Sequence, residues 1–250
     1  MSEPVSARRE TMSAALVIFA KAPVPGQVKT RLSPALTADE AATLHGSFVL
    51  DTLERTKAAV GTFKLPVDRF LACAPSSTHV FFRIMEARHG VTLLDQQGED
   101  LGARMHHTFD NLFARGYQRV CLVGTDVPSL PLTHYRDAVE SLTRHDLVIG
   151  PARDGGYYLI GLTRPRADLF ANIPWSTDRV MALTQERADA AGLKTAVLPA
   201  WSDVDTLHDL QALIDESAAD KQWLKRERVF SMRTAGTLEL LAKRLRTRET

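Results

Sequence analysis

Short apolar runs alternate with longer amphipathic stretches along most of this 250-residue chain. That rhythm predicts strands and helices in turn, and so an α/β fold around a mostly parallel sheet. "ALVIFA", Ala15 to Ala20, is the first predicted strand. A helix follows over "LTADEAATLHGSFVLDTLERTKAAV", with Thr37 and Glu40 spaced as a capping box and Leu44, Phe48 and Leu53 on roughly one face. "RFLACA" is a strand, Thr78 to His89 a helix and "VTLLDQ" a short strand. "DLGARMHHTFDNLFARG" is a helix that stops at Gly116. "RVCLVGTD" has an unbroken apolar centre, Val120 to Val123, as buried strands do. Leu132 to Arg144 reads as a helix, and "DLVIGPA" and "GYYLIGL" as strands around "RDGG". A helix at Asp178 to Ala191, a strand "TAVLP" and a helix from Thr206 to Ser217 complete the pattern.

The pattern divides the chain in three. Residues 1–13 are polar and read as a disordered tail without the apolar middle of a secretory signal. Residues 14–217 form one α/β unit, with neither internal repeat nor low-complexity block. Residues 218–250 are rich in Lys and Arg, with apolar residues at near-helical spacing. This basic helical extension is expected to pack back on the unit or make a homodimer contact, in preference to lying on an anionic surface. No run approaches the roughly 20 apolar residues of a membrane span, so no integral membrane segment is expected. Two cysteines, Cys73 and Cys121, fall in predicted buried strands and read as free thiols of a cytoplasmic protein. The formal net charge of +1 argues against a nucleic-acid binder but not against a small anion held by local charges.

Those charges gather behind the first strand, in "FAKAPVPGQVKTRL". Ligands of open α/β sheets bind at the carboxyl ends of strands. Lys21, Lys29 and Arg31 can converge there on one polyanion, Thr30 adds a hydroxyl, Pro23 and Pro25 stiffen the loop, and Gly26 allows a tight turn. It is not a Walker A loop, because Val28 precedes Lys29-Thr30. A solvated basic turn is the plain alternative.

Carboxylates form the second signal. Asp126 leaves the buried strand in "LVGTDVPSL", placed either to bind Mg²⁺ or to shape a turn before Pro128. Asp203 and Asp205 of "WSDVDTLHDL" share a face if the segment is extended, although Asp205 or Thr206 also suits a helix cap. Asp154 precedes Gly155-Gly156 and either accepts a proton from an attacking hydroxyl or turns a hairpin. Of Tyr157 and Tyr158, one faces the core by strand alternation. Trp175 is placed to stack on a sugar or base, and Ser176 or Thr177 to cap the next helix. His106 and His107 are adjacent on a helix, point apart and are read as plain helix residues.

"KAPVPGQVKTRL" resembles the start of a bacterial family of GT-A-type transferases, in the nucleotide-diphospho-sugar transferase superfamily, whose members carry a glycosyltransferase label. The resemblance runs to about Leu213 and leaves out the basic extension. "KTRLSPALTADE" also resembles the opening of the 2-phospho-lactate guanylyltransferases. The resemblance implies a three-layer α/β/α, Rossmann-like GT-A fold and a Mg²⁺- or Mn²⁺-dependent transferase acting on a nucleotide sugar or an NTP and a small-molecule acceptor. It implies phosphate binding by Lys21, Gly26, Lys29, Thr30 and Arg31. It places "QQGEDLGARM", with Gly98, Asp100, Gly102 and Arg104, near the nucleotide. It implies metal ligation by Asp126 with Asp205 and then Asp203, and an acceptor pocket of Gly155, Gly156, Tyr157, Trp175, Ser176 and Thr177. Asp154, Asp126 and Lys29 are the catalytic candidates. GT-A glycosyltransferases often carry Asp-x-Asp where this chain has Gly124-Thr125-Asp126. Glycosyl transfer is the leading expectation, nucleotidyl transfer to a phosphorylated small molecule the alternative, and an inactive nucleotide sensor or partner protein the third.

Overall fold

The first strand is buried on both faces. Ala14, Leu16, Ile18 and Ala20 join one apolar cluster, while Ala15 and Val17 join another. Such a strand must lie inside a sheet covered on both sides. The computed structural model, which describes residues 14–222 and 231–248, shows that arrangement. Among the described residues the strands are β1 (Ala14–Lys21), β2 (Val67–Ala74), β3 (Thr92–Asp95), β4 (Arg119–Gly124), β5 (Leu147–Pro151), β6 (Tyr157–Leu162) and β7 (Thr195–Val197). They form one sheet in the order β3-β2-β1-β4-β6-β5-β7. Both pairings of β6 are antiparallel and the other four are parallel.

The helices are α1 (Ala38–Phe63), α2 (Val80–His89), α3 (Leu101–Ala114), α4 (Leu132–Ser141), α5 (Val180–Ala190), α6 (Leu207–Gln222) and α7 (Met232–Arg248). Val49 and Leu53 of α1, Phe82 of α2 and Tyr135 of α4 cover one face of the sheet. Met105, Phe109 and Leu112 of α3 and Ala188 of α5 cover the other. The result is a three-layer α/β/α fold, and each Leu or Ile buried in it contributes about 1.5–3 kcal/mol.

The chain leaves β1 outward through β2 and β3, then returns to the other side of β1 as β4. The carboxyl ends of β1 and β4 therefore flank the switch point, where ligand crevices of open sheets lie.

Helix α1 departs from the one-face expectation. Val49 and Leu53 face the sheet, but Leu44 and Phe48 belong to a third cluster with Leu210 and Leu213 of α6 and Leu238 and Leu241 of α7. The helix outruns the sheet, and the C-terminal helices cover its first half. The boundary drawn after Ser217 falls inside α6. Helix α7 packs back through Leu238 and Leu241, and Arg244 pairs with Glu40 at 2.7 Å. The tail expected over 1–13 and the extension residues 223–230 and 249–250 lie outside the described residues. Among the described residues, no helix is long and apolar enough to cross a membrane.

Candidate active site

A cavity of about 620 Å³ opens at the carboxyl ends of β1 and β4. Loop residues Lys21, Lys29, Thr30 and Arg31 line it, as do Asp126, Asp154, Asp203 and Asp205. Sequence-distant segments meet here because the sheet directs each strand exit to the same edge.

Lys29 is the centre of the charged wall. Its side chain is 4% exposed and its backbone is left-handed, with φ 50°. An ammonium has three donors, and all three are engaged. They reach Asp126 at 2.5 Å, Asp205 at 2.9 Å and the Val204 carbonyl at 2.6 Å. The Val204 N–H also donates to the Asp126 carbonyl at 3.0 Å. Lys29 thus clamps the 203–205 segment to the end of β4. Burial works against both charges, but the pairing wins: Lys29 is raised and Asp126 is held below the usual carboxylate range. Arg31, more exposed, stands 3.6 Å from Asp205.

Lys29, expected at the phosphates, has its three donors directed to these protein acceptors. This leaves Lys21, Thr30 and Arg31 as the side chains of that loop facing the cavity free for an anion or only loosely held. Gly26 does not line the cavity and makes the exposed turn with φ 78°.

Asp154, Asp203 and Asp205 each place a ligand atom within 4.8 Å of the other two. Asp126, expected as the main metal ligand, is outside this trio and pairs with Lys29 at 2.5 Å. Asp154 joins instead, carried in by the β5–β6 hairpin, where its Oδ1 accepts from the Gly156 N–H at 2.8 Å. Thr206 forms a capping box with Asp209, so Asp205 has no capping duty. Asp203 is pushed up to about 7 by burial first, then by Asp154, with smaller contributions from Asp205 and Asp209. Crowded, repelling oxygen donors are what a hard divalent cation relieves. The trio fits Mg²⁺ or Mn²⁺.

The rest of the lining mixes apolar and polar groups, with Glu99, Asp100 and Arg104 among them. Gln96, Leu101, Met105, Tyr157 and Trp175 belong to it as well. Trp175 lies on Gly102, where a Cβ would collide with the indole. Gly155 is pressed against the Asp178 backbone in the same way, so both glycines shape walls without lining the cavity. Gly98 likewise packs on Ala103 and Arg104. Asp100, expected at the nucleotide, lines the cavity and also caps α3 through the Ala103 N–H at 2.7 Å. Arg104 Nε donates to the Gly98 carbonyl at 3.0 Å and the residue lines the cavity. Tyr158 is the core-facing tyrosine, with its hydroxyl donating to the Pro199 carbonyl at 3.0 Å. Ser176 and Thr177 line the cavity but do not cap α5, whose Met181 N–H bonds to the Gly155 carbonyl at 2.8 Å. The Thr177 hydroxyl turns back to the Pro174 carbonyl at 2.7 Å.

Sequence reasoning missed two lining residues, Gln96 and His45. His45 is a buried residue of α1, lowered by burial, whose Nε2 lies 3.0 Å from the Lys21 carbonyl. A carbonyl only accepts, so Nε2 carries the proton. Nothing in an isolated His on a long helix signals this. Gln96 is the first residue of the stretch expected at the nucleotide, although it was not singled out within it.

An open, mostly parallel sheet with helices on both faces and a cation-and-carboxylate cavity at its switch point defines a nucleotide-diphospho-sugar transferase fold. The chain belongs to the bacterial family described as "Uncharacterized protein conserved in bacteria (DUF2064)", which matches residues 58–177. A "putative nucleotide-diphospho-sugar transferase" from Desulfovibrio desulfuricans G20 is 33% identical, with TM-score 0.79 over 94% of this chain and 97% of its own. The 2-phospho-L-lactate guanylyltransferase of Methanothermobacter thermautotrophicus is 28% identical over 142 residues, 56% of this chain. That match spans 57% of the enzyme's length. A cytidylyltransferase from Leptospira borgpetersenii serovar Hardjo-bovis shares the fold at 14% identity and TM-score 0.52, over 93% of this chain and 95% of its own. By name these relatives are transferases.

Proposed function

We propose that the protein joins a nucleoside monophosphate unit, taken from an NTP, to a phosphorylated small molecule. The observation that carries this reading is the charged wall. Loop cations and three clustered carboxylates share one cavity at the switch point. The name of the guanylyltransferase relative supports the same chemistry.

A phosphate oxygen of the acceptor attacks the α-phosphorus of the NTP. The new P–O bond forms as the bond to the β-bridging oxygen breaks, and pyrophosphate leaves with the electron pair. The attacking oxygen is already anionic, so no general base is needed. That fits Asp154 beside Asp203 and Asp205 better than the proton-accepting role. Lys21 and Arg31 bind the phosphates, while Lys29 keeps Asp126 and Asp205 in place. Mg²⁺ or Mn²⁺ held by Asp154, Asp203 and Asp205 would neutralise phosphate charge and stabilise the departing pyrophosphate. Trp175, Tyr157 and Gly156 wall the organic part of the substrates.

Glycosyl transfer is the second reading, favoured by the name of the 33%-identical structure that spans nearly the whole chain. The products separate the two. Incubation with an NTP, Mg²⁺ and a panel of phosphorylated acceptors is expected to release pyrophosphate. Release of nucleoside diphosphate from a nucleotide sugar, without pyrophosphate from any NTP, would replace nucleotidyl with glycosyl transfer.

A further inference from the structure

The basic loop is fixed at three places, and the third lies away from the sheet. Where the chain leaves β1, the Ala22 N–H donates to the Ala74 carbonyl at 2.8 Å. In the middle of the loop, Lys29 is held by Asp126, Asp205 and the Val204 carbonyl. Beyond Arg31 the chain turns through Leu32 to Thr37, a stretch that belongs to none of the described strands. Helix α7 secures this far end. Leu32 and Leu36 are buried in the cluster that Leu238, Leu241 and Ala242 of α7 complete. Arg244 of the same helix grips the turn directly. Its Nη2 donates to the Ala35 carbonyl at 2.5 Å, and its Nε stands 2.7 Å from Glu40 Oε1. The other oxygen of Glu40 accepts from the Thr37 N–H at 2.7 Å and the Thr37 hydroxyl at 2.9 Å. One planar guanidinium thus joins a carbonyl of the turn to the carboxylate that caps α1.

Arg31 sits between the two anchors. Its side chain is 59% exposed and its pair with Asp205 is long, at 3.6 Å. The aim of such a cation is set by the backbone that carries it. Arg244 does not line the cavity, so it reaches a ligand there only through the loop. We propose, resting on the nucleotide reading above, that Arg244 is a positioning residue for the phosphate site. Helix α7 holds residues 32–37 so that Thr30 and Arg31 meet the phosphates already ordered, and less entropy is lost on binding.

The test is a double-variant cycle on the full chain, read by titration calorimetry with ATP, GTP, CTP and UTP, each with Mg²⁺. Arg244→Ala is expected to weaken the tightest NTP about three- to tenfold. In the Arg31→Ala chain the same change is expected to weaken it by less than about twofold, because the side chain it positions is gone. Should Arg244→Ala not fold, Arg244→Lys, which keeps the charge but not the fork, carries the same cycle. Hydrogen exchange without ligand gives a second reading. The N–H groups of Leu32, Ser33 and Leu36, bonded to the carbonyls of Lys29, Thr30 and Leu32, should exchange faster in the variant while those of β1 and β4 do not change. Undiminished NTP affinity, or an equal loss with and without Arg31, overturns the positioning role and leaves the nucleotide reading standing. Faster exchange in the sheet as well as the loop makes Arg244 a general stabiliser and overturns it too. Absence of binding of any NTP by the native chain overturns the nucleotide reading and this inference with it.

Discussion

The basic loop after β1 and the acidic segments around it reach the cavity by opposite routes. The loop is contiguous: Lys21, Lys29 and Arg31 lie within a short span. Yet its cations part company, because Lys29 turns inward to three partners while Arg31 stays largely exposed. The carboxylates are scattered along the chain, and Asp154, Asp203 and Asp205 converge. Closeness in sequence did not produce a shared role, and distance did not prevent one. Burial decides between them: a buried lysine must find carboxylates, whereas an exposed arginine is free to wait for a ligand.

Lys29→Met should break this comparison with the largest effect. It leaves Asp126 and Asp205 without their clamp. Breaking a buried pair costs about 3–5 kcal/mol, and the partial exposure of both carboxylates reduces that here to roughly 2–3 kcal/mol. Urea unfolding measures it. A loss below about 0.5 kcal/mol would make Lys29 an ordinary loop lysine.

Gly102→Ala should come next, at about 1–3 kcal/mol, because the added methyl collides with Trp175. Tryptophan fluorescence should report the displaced indole. An unchanged spectrum and stability would mean that the Trp175 side of the cavity yields easily.

The acidic arm should respond with the opposite sign. Asp203 has a folded pKa raised to about 7, so it favours the folded state at low pH and loses that contribution as pH rises from about 4 through 7. Asp203→Asn should therefore stabilise the metal-free protein at pH 8 by roughly 1 kcal/mol and flatten its pH dependence between 4 and 7. A destabilised variant at pH 8 would deny the repulsion among the three carboxylates.

Arg31→Ala should have the smallest effect on folding, within about 0.5 kcal/mol, since its pair with Asp205 is exposed and long. Its NTP affinity should still fall severalfold in titration calorimetry. Unaltered affinity would remove Arg31 from the phosphate site.

Much of the fold was legible because strands buried on both faces are written as apolar runs. β1 and β4 announce themselves in "ALVIFA" and "RVCLVG", and Thr37 with Glu40 does form the capping box that opens α1. The two-faced burial of α1 was not legible. Leu44 and Leu53 look alike in periodicity, and only the returning C-terminal helices show that they serve different clusters. Within the site, the loop and the three acidic stretches were recognisable by residue type. Their grouping was not, because it depends on the reversed strand β6 swinging Asp154 inward and on Lys29 taking Asp126. Gln96 opens a stretch that was expected at the nucleotide, but the fixing of its amide was not legible, because it depends on the Ala20 and Ala72 carbonyls.

The account turns on which carboxylates hold the metal. The direct measurement is Mn²⁺ titration, followed by electron paramagnetic resonance, on the native chain and on Asp154→Asn, Asp203→Asn and Asp126→Asn. The account predicts a bound ion in the native chain, retained by Asp126→Asn and weakened at least about tenfold by each of the other two. Native-like binding by Asp154→Asn and Asp203→Asn, with loss in Asp126→Asn, would contradict it and return the metal to the end of β4.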